Sequence, residues 1–204
     1  MVWRLMQLSC GFLLAGLAIA MMLRAALGLS PWDVLAHGIA VRTGIPFGLA
    51  SIAVGCSVML LWIPLQQRFG AGTILNALLI GPCTELSLLI VPTPDGLWIR
   101  VTMFVGGLAL IAFATGLYIG ARFGPGPRDG LMTGLNGRFG WPIWVARGVV
   151  EMAALAVGWL LGGNVGVGTL AFTVTIGPLV HLAMRYLPNQ LGTARDRTSR
   201  DSNS

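Results

Sequence analysis

One eight-residue stretch occurs twice in this chain, and that repetition constrains the fold more than any other feature. Gly28-Leu29-Ser30-Pro31-Trp32-Asp33-Val34-Leu35 and Gly124-Pro125-Gly126-Pro127-Arg128-Asp129-Gly130-Leu131 both read G-x-x-P-x-D-x-L, 96 residues apart. The same offset relates Arg4 to Arg100, Gly11 to Gly107, Gly38 to Gly134, Arg42 to Arg138, Gly44 to Gly140 and Pro46 to Pro142. Further on it relates Gly70 to Gly166, Gly72-Thr73 to Gly168-Thr169, and Gly81-Pro82 to Gly177-Pro178. An apolar composition scatters chance matches of Leu and Ala. It does not hold Gly, Pro and Asp in one ungapped register. The chain therefore reads as a tandem duplication in which each half is one structural unit.

The solvent for those units follows from composition. Hydrophobic residues make up 55% of the 204 positions and charged residues 10%, with a mean hydropathy of +0.80. A soluble domain usually carries about a quarter charged residues, so the apolar surface must face lipid. The apolar runs are continuous rather than alternating, which selects helices over a barrel. The 29 glycines suit helices that pack backbone against backbone in a membrane. The net charge of +6 comes from arginines at span ends and in the tail, which argues for topology rather than nucleic-acid binding. Cys10, Cys56 and Cys83 lie inside apolar runs, so neither a disulfide framework nor a metal site is expected. The N-terminal run resembles a signal peptide. It continues to Leu27, however, and its copy lies in the chain's interior, so a span is the better reading.

Six spans are expected, at about Trp3–Leu27, Pro46–Leu65, Thr73–Val91, Leu97–Arg122, Pro142–Leu161 and Thr169–Tyr186. A short Pro-started helical segment, Pro31–Thr43 or Pro127–Phe139, follows the first span of each half. The halves are then residues 1–91 and 97–187, joined by a turn-rich connector at 92–96, with 188–204 a disordered cytoplasmic tail. If the short segments do not cross, nine arginines fall on the side of the termini and three on the other, which puts both termini in the cytoplasm. Three spans per half is odd, so the second half enters the membrane inverted. Such inverted repeats recur in secondary transporters, whose sites lie at matched, interrupted segments near the repeat interface.

The G-x-S-P-W-D-V-L segment, the G-x-G-T start of the third span and the G-x-x-x-G-P-x-x-D-G-L copy resemble YczE/YyaS/YitT-type bacterial integral membrane proteins. The resemblance covers essentially everything before the tail. It implies a polytopic protein of the bacterial inner membrane and no particular activity.

Asp33 and Asp129 are the first candidates for chemistry. As paired acids at the membrane they can bind a cation or amine or relay a proton. They also fit helix capping, with Ser30 or Gly126 at the N-cap, Pro31 or Pro127 first in the helix and the acid third. One residue can do both. Ser30, Trp32, Arg24 and Arg122 complete the candidate substrate set; for the two arginines, pairing with the acids competes with snorkelling at span ends. Arg128 reads as a snorkelling residue. Arg147 and Glu151, spaced i and i+4, read as a self-neutralising pair or a gate. Glu85 and its repeat partner His181 are candidates for proton coupling, against simple exposure near the interface. The tryptophans, Trp62 and Trp32 among them, fit an aromatic belt. Thr73 and Thr169 fit N-caps. No catalytic constellation, phosphate loop, metal or cofactor motif is present in the sequence. The expectation is a non-enzymatic small-solute transporter with a site at the repeat interface, whose partners are the lipid bilayer, an unknown solute and a possible homodimer mate. The alternative is a non-transporting scaffold or accessory subunit of a membrane enzyme or export system.

Overall fold

The computed structural model describes residues 2–67, 70–121, 123–124 and 126–186. The polar tail beyond 187 and Arg122 lie outside these residues. Among them are eight helices: α1 (Val2–Ala25), α2 (Pro31–Thr43), α3 (Phe47–Leu60), α4 (Ala71–Leu88), α5 (Leu97–Gly120), α6 (Pro127–Phe139), α7 (Ile143–Leu160) and α8 (Val167–Tyr186). Helices α2, α3, α4, α6, α7 and α8 begin at the offset of 96 found in the sequence. Five helices, α1, α4, α5, α7 and α8, are long and apolar enough to cross a membrane, and α3 is a shorter apolar helix.

Helix α3 stops short of the expected Leu65. Pro64 has no N–H, and its ring clashes with the carbonyl four residues back. The last turn therefore tightens, with Trp62 N–H bonded to Met59 O and Ile63 N–H to Leu60 O, and irregular turns run on to Gln66. Pro82 and Pro178, by contrast, are accommodated inside α4 and α8.

Short helices α2 and α6 obey the same start and stop rules. Pro31 and Pro127 occupy the first helical position, and Gly44 and Gly140 end the helices with left-handed backbone at φ +76° and +68°.

Two reciprocal clasps join the halves. The Gly72 N–H donates to Phe123 O at 2.8 Å, and the Gly168 N–H donates to Leu27 O at 2.8 Å. Each pair is the other's repeat counterpart with the halves exchanged. The Gly-Thr motifs thus seat against the loop that enters the opposite short helix. Thr73 and Thr169 are fully buried in the first turns of α4 and α8 and are not N-caps. The Thr169 hydroxyl accepts the Leu29 N–H across the clasp at 3.2 Å. Gly28 has φ +132°, and a Cβ there would lie 2.5 Å from Thr169 N. Gly28→Ala is accordingly expected to destabilise the protein by about 2 kcal/mol, read as a lower Tm in detergent; an unchanged Tm would remove the clasp as a stabilising element.

Helices α1 and α5 pack along each other at the centre, flanked by α4 on α1 and α8 on α5. Here the halves part company. Helix α3 lies on α4 through small residues: a Cβ on Gly81 would sit 2.4 Å from Gly48 O, and one on Gly55 would sit 3.0 Å from the Ala77 Cβ. At the matching places α7 carries Trp144 and Glu151, and α7 and α8 do not pack along each other. Gly177, the counterpart of Gly81, has open space where a Cβ would be.

Candidate functional site

The duplicated motif builds the site. Helix α2 starts from a buried loop, Gly28-Leu29-Ser30, and the N-termini of α2 and α6 line one cavity of about 340 Å³. Its polar lining includes Ser30, Asp33, Arg128, Asp129, Arg147 and Glu151, with Asn76, Thr115 and Tyr118 on α4 and α5. Much of the rest is apolar, from Ile19, Val54, Val58, Ile111, Ile176 and Val180. Small-molecule sites typically occupy about 300–1,000 Å³ with apolar walls and a few convergent polar groups.

Ser30 is the N-cap of α2, and Asp33, which it caps, is a cavity residue. Its backbone N–H donates to Ser30 Oγ at 3.2 Å, and the Ser30 hydroxyl donates in turn to the Asp33 carboxylate. The same carboxylate accepts Arg128 Nη2 from the other half at 3.3 Å. Asp33 is 4% exposed, so the arginine compensates a charge that burial would otherwise make costly. Arg128 also lies over the Trp32 ring, 5.5 Å from its centroid, which adds a cation–π attraction. The Arg128 guanidinium thus meets a buried carboxylate and an indole face while its side chain stays 41% exposed, an ion pair that snorkelling alone does not provide.

Asp129 differs. It has no carboxylate-to-cation contact within 4 Å among the described residues, and it keeps accessible surface because it stands against the cavity. The difference between the two acids is written in their neighbours. Where the first copy has Ser30 and Trp32, the second has Gly126 and Arg128. Gly126 supplies no hydroxyl, and Trp32 supplies no positive charge to reach back to Asp129.

Arg147 and Glu151 form the expected i, i+4 ion pair at 3.0 Å, on the cavity wall. The remaining candidates lie elsewhere. Arg24 bonds Thr93 Oγ1 at 3.0 Å and Leu88 O at 2.9 Å, tying the end of α1 to the end of α4. Its repeat-side neighbour in space, Arg100, bonds Ala25 O and Ala26 O in the same manner. Both guanidiniums cap helix C-termini, where carbonyls lack partners and the dipole is negative. Glu85 accepts the Gly48 N–H at 2.7 Å and so caps the start of α3. His181 is exposed on α8, and α4 and α8 do not pack along each other, so these two are not brought together. Two tryptophans leave the expected belt. Trp62 is fully buried and Trp32 is 6% exposed, because the loops around α2 and α6 fold over them; Trp98, Trp144 and Trp159 stay exposed.

Asn76, Thr115 and Tyr118 were not foreseen. They sit in apolar runs, and only the placement of α4 and α5 beside the α6 N-terminus sets them around the cavity. Among the described residues, no group of three His, Cys, Asp or Glu side chains is placed to hold a metal ion.

The chain matches the family described as "Family of unknown function (DUF6198)" over residues 2–185. It is similar to an uncharacterized protein of Haemophilus influenzae, 38% identical over 172 residues, covering 84% of this chain and 79% of the relative. It is also similar to the uncharacterized membrane protein YczE of Bacillus subtilis, at 30% identity over 162 residues and 78% and 74% coverage. The uncharacterized protein YyaS of the same organism is 25% identical over 186 residues, covering 88% and 91%. No solved structure matches the chain. Apolar helices, the duplicated motif and these relatives agree: the chain belongs to the DUF6198 family and is an integral membrane protein.

Proposed function

We propose that the protein is a small-solute permease of the bacterial inner membrane, with its site in the cavity between the α2 and α6 N-termini. The observation that carries this reading is that the cavity holds both motif acids and three further charged side chains inside an otherwise apolar bundle. Ionisable groups kept at such a cost line solute or ion paths in membrane proteins. In this reading α3, extended by the turns through Gln66, is the sixth span. The halves are inverted repeats, and the reciprocal clasps are the contacts that such a pseudo-two-fold axis would generate. Both termini face the cytoplasm, following the arginine distribution. Arg24 and Arg100, which fall on the opposite side, are engaged by helix carbonyls. The protein moves its solute unchanged and is not an enzyme.

The test is flux. Proteoliposomes loaded with a mixed metabolite extract are expected to lose a subset of solutes when protein is present, as followed by mass spectrometry. Asp33→Asn and Asp129→Asn are expected to lower that loss at least tenfold while the purified protein stays monodisperse. Loss of folded protein in both variants, with no solute moved by the wild type, would leave the acids as caps and overturn the permease reading.

A further inference from the structure

The two copies of the motif acid are inequivalent, and the inequivalence identifies a ligand class. Three carboxylates and two guanidiniums line the cavity. Arg128 pairs with Asp33 and Arg147 pairs with Glu151, which leaves Asp129 as the cavity carboxylate without an ion-pair partner among the described residues. A negative charge at a water-sized site would suit a metal ion. The lining does not: two of its three carboxylates are taken up by arginines, and the volume of about 340 Å³ exceeds what an ion and its oxygen ligands occupy. A body with apolar surface is needed to fill the space beside Ile19, Val54, Ile111 and Ile176.

The route to the site points the same way. The α3–α4 side is closed by Gly48 lying on Gly81, backbone against backbone. The matching side is left unsealed, because Trp144 and Glu151 replace the small residues of α3 and Gly177 faces open space. Glu151 on α7 and Ile176 and Gly177 on α8 are themselves cavity residues, so the cavity extends to this unsealed seam. The outer surface beside it is apolar, with Met152, Leu170 and Val174 exposed by 63–74%.

We propose that the cavity binds a lipophilic organic cation, an amine or quaternary ammonium with an apolar body, which enters between α7 and α8 and pairs its positive nitrogen with Asp129. The inference deepens the permease reading and rests on it for its biological sense, but binding and flux can fail separately.

The probe is benzyltrimethylammonium, compared with its uncharged carbon isostere neopentylbenzene, on the purified full-length protein in nanodiscs. The cation is expected to bind at least tenfold more tightly than the neutral isostere. Asp129→Asn is expected to remove that preference, and Asp129→Glu to retain most of it, which separates charge from folding. Gly177→Leu places its Cβ in open space and leaves Asp129 untouched; it is expected to slow association of the cation at least fivefold. Equal binding of cation and isostere, or an Asp129→Asn variant that is folded and keeps the preference, overturns the proposal. Charge-blind binding alongside measurable solute flux would sink the ligand class and spare the permease. Charge-selective binding without any flux would uphold the ligand class and sink the permease.

Discussion

Trp62→Ala is expected to destabilise the protein by about 3–5 kcal/mol, the largest effect of any single truncation. Trp62 is the largest fully buried side chain among the described residues. Its indole lies against the α6 backbone so closely that a Cβ on Gly130 would fall 1.9 Å from the ring, and its Nε1 donates to Pro127 O at 2.9 Å. The residue thus joins the end of α3 to the first turn of α6, the turn that carries Arg128 and Asp129. Lipid removes much of the hydrophobic driving force between helices, but the lost van der Waals contacts and the void remain. Trp62→Phe keeps most of the ring and loses the hydrogen bond to Pro127 O, at a cost of about 1 kcal/mol for that bond. Equilibrium unfolding in mixed detergent micelles measures both. A Trp62→Ala cost below the Trp62→Phe cost would refute the anchoring role.

Gly158→Val should be nearly as damaging, at about 3 kcal/mol or more. A Cβ at 158 would lie 2.5 Å from Leu35 N and 2.6 Å from Leu35 Cα, and a Cβ on Gly38 would lie 2.4 Å from Gly158 O. Main chain meets main chain here, so no rotamer change relieves the clash. Helix α2 must move off α7, taking Asp33 away from Arg128. The expected result is a marked drop in monodisperse protein and in Tm, with solute flux lost in what remains. A folded, active Gly158→Val would show that α2 does not need its seat on α7.

The parts of this structure legible in the sequence are those set by local rules. Pro31 and Pro127 start short helices, Gly44 and Gly140 stop them, and the constant offset carries each boundary from one half to the other. Continuous apolar runs located the long helices for the same reason. What was not legible depends on contacts made across the duplication. Nothing near Arg128 in the sequence says that its partner is Asp33, 95 residues away. Glu85 and Arg24 look like functional charges in a linear reading because the backbone groups they cap belong to other helices. Trp62 reads as an interface residue since it ends a span, and only the returning α6 buries it. The N-cap at Ser30, read from the Ser30-Pro31-x-Asp33 spacing, is present in the structure, while the Asp33 carboxylate bonds the Ser30 hydroxyl and Arg128 rather than a helix amide.

The exchange of Ser30 and Trp32 for Gly126 and Arg128 makes the two copies of the motif complementary rather than interchangeable. Two copies of the first half alone would place two indoles and two aspartates together with no guanidinium between them. Two copies of the second half would bring two arginines against two aspartates with no serine to hold either carboxylate. Neither pairing reproduces the present arrangement, in which Asp33 is ion-paired and Asp129, among the described residues, is not. The Arg128–Asp33 pair and the Ser30–Asp33 bond therefore need one copy of each version of the motif.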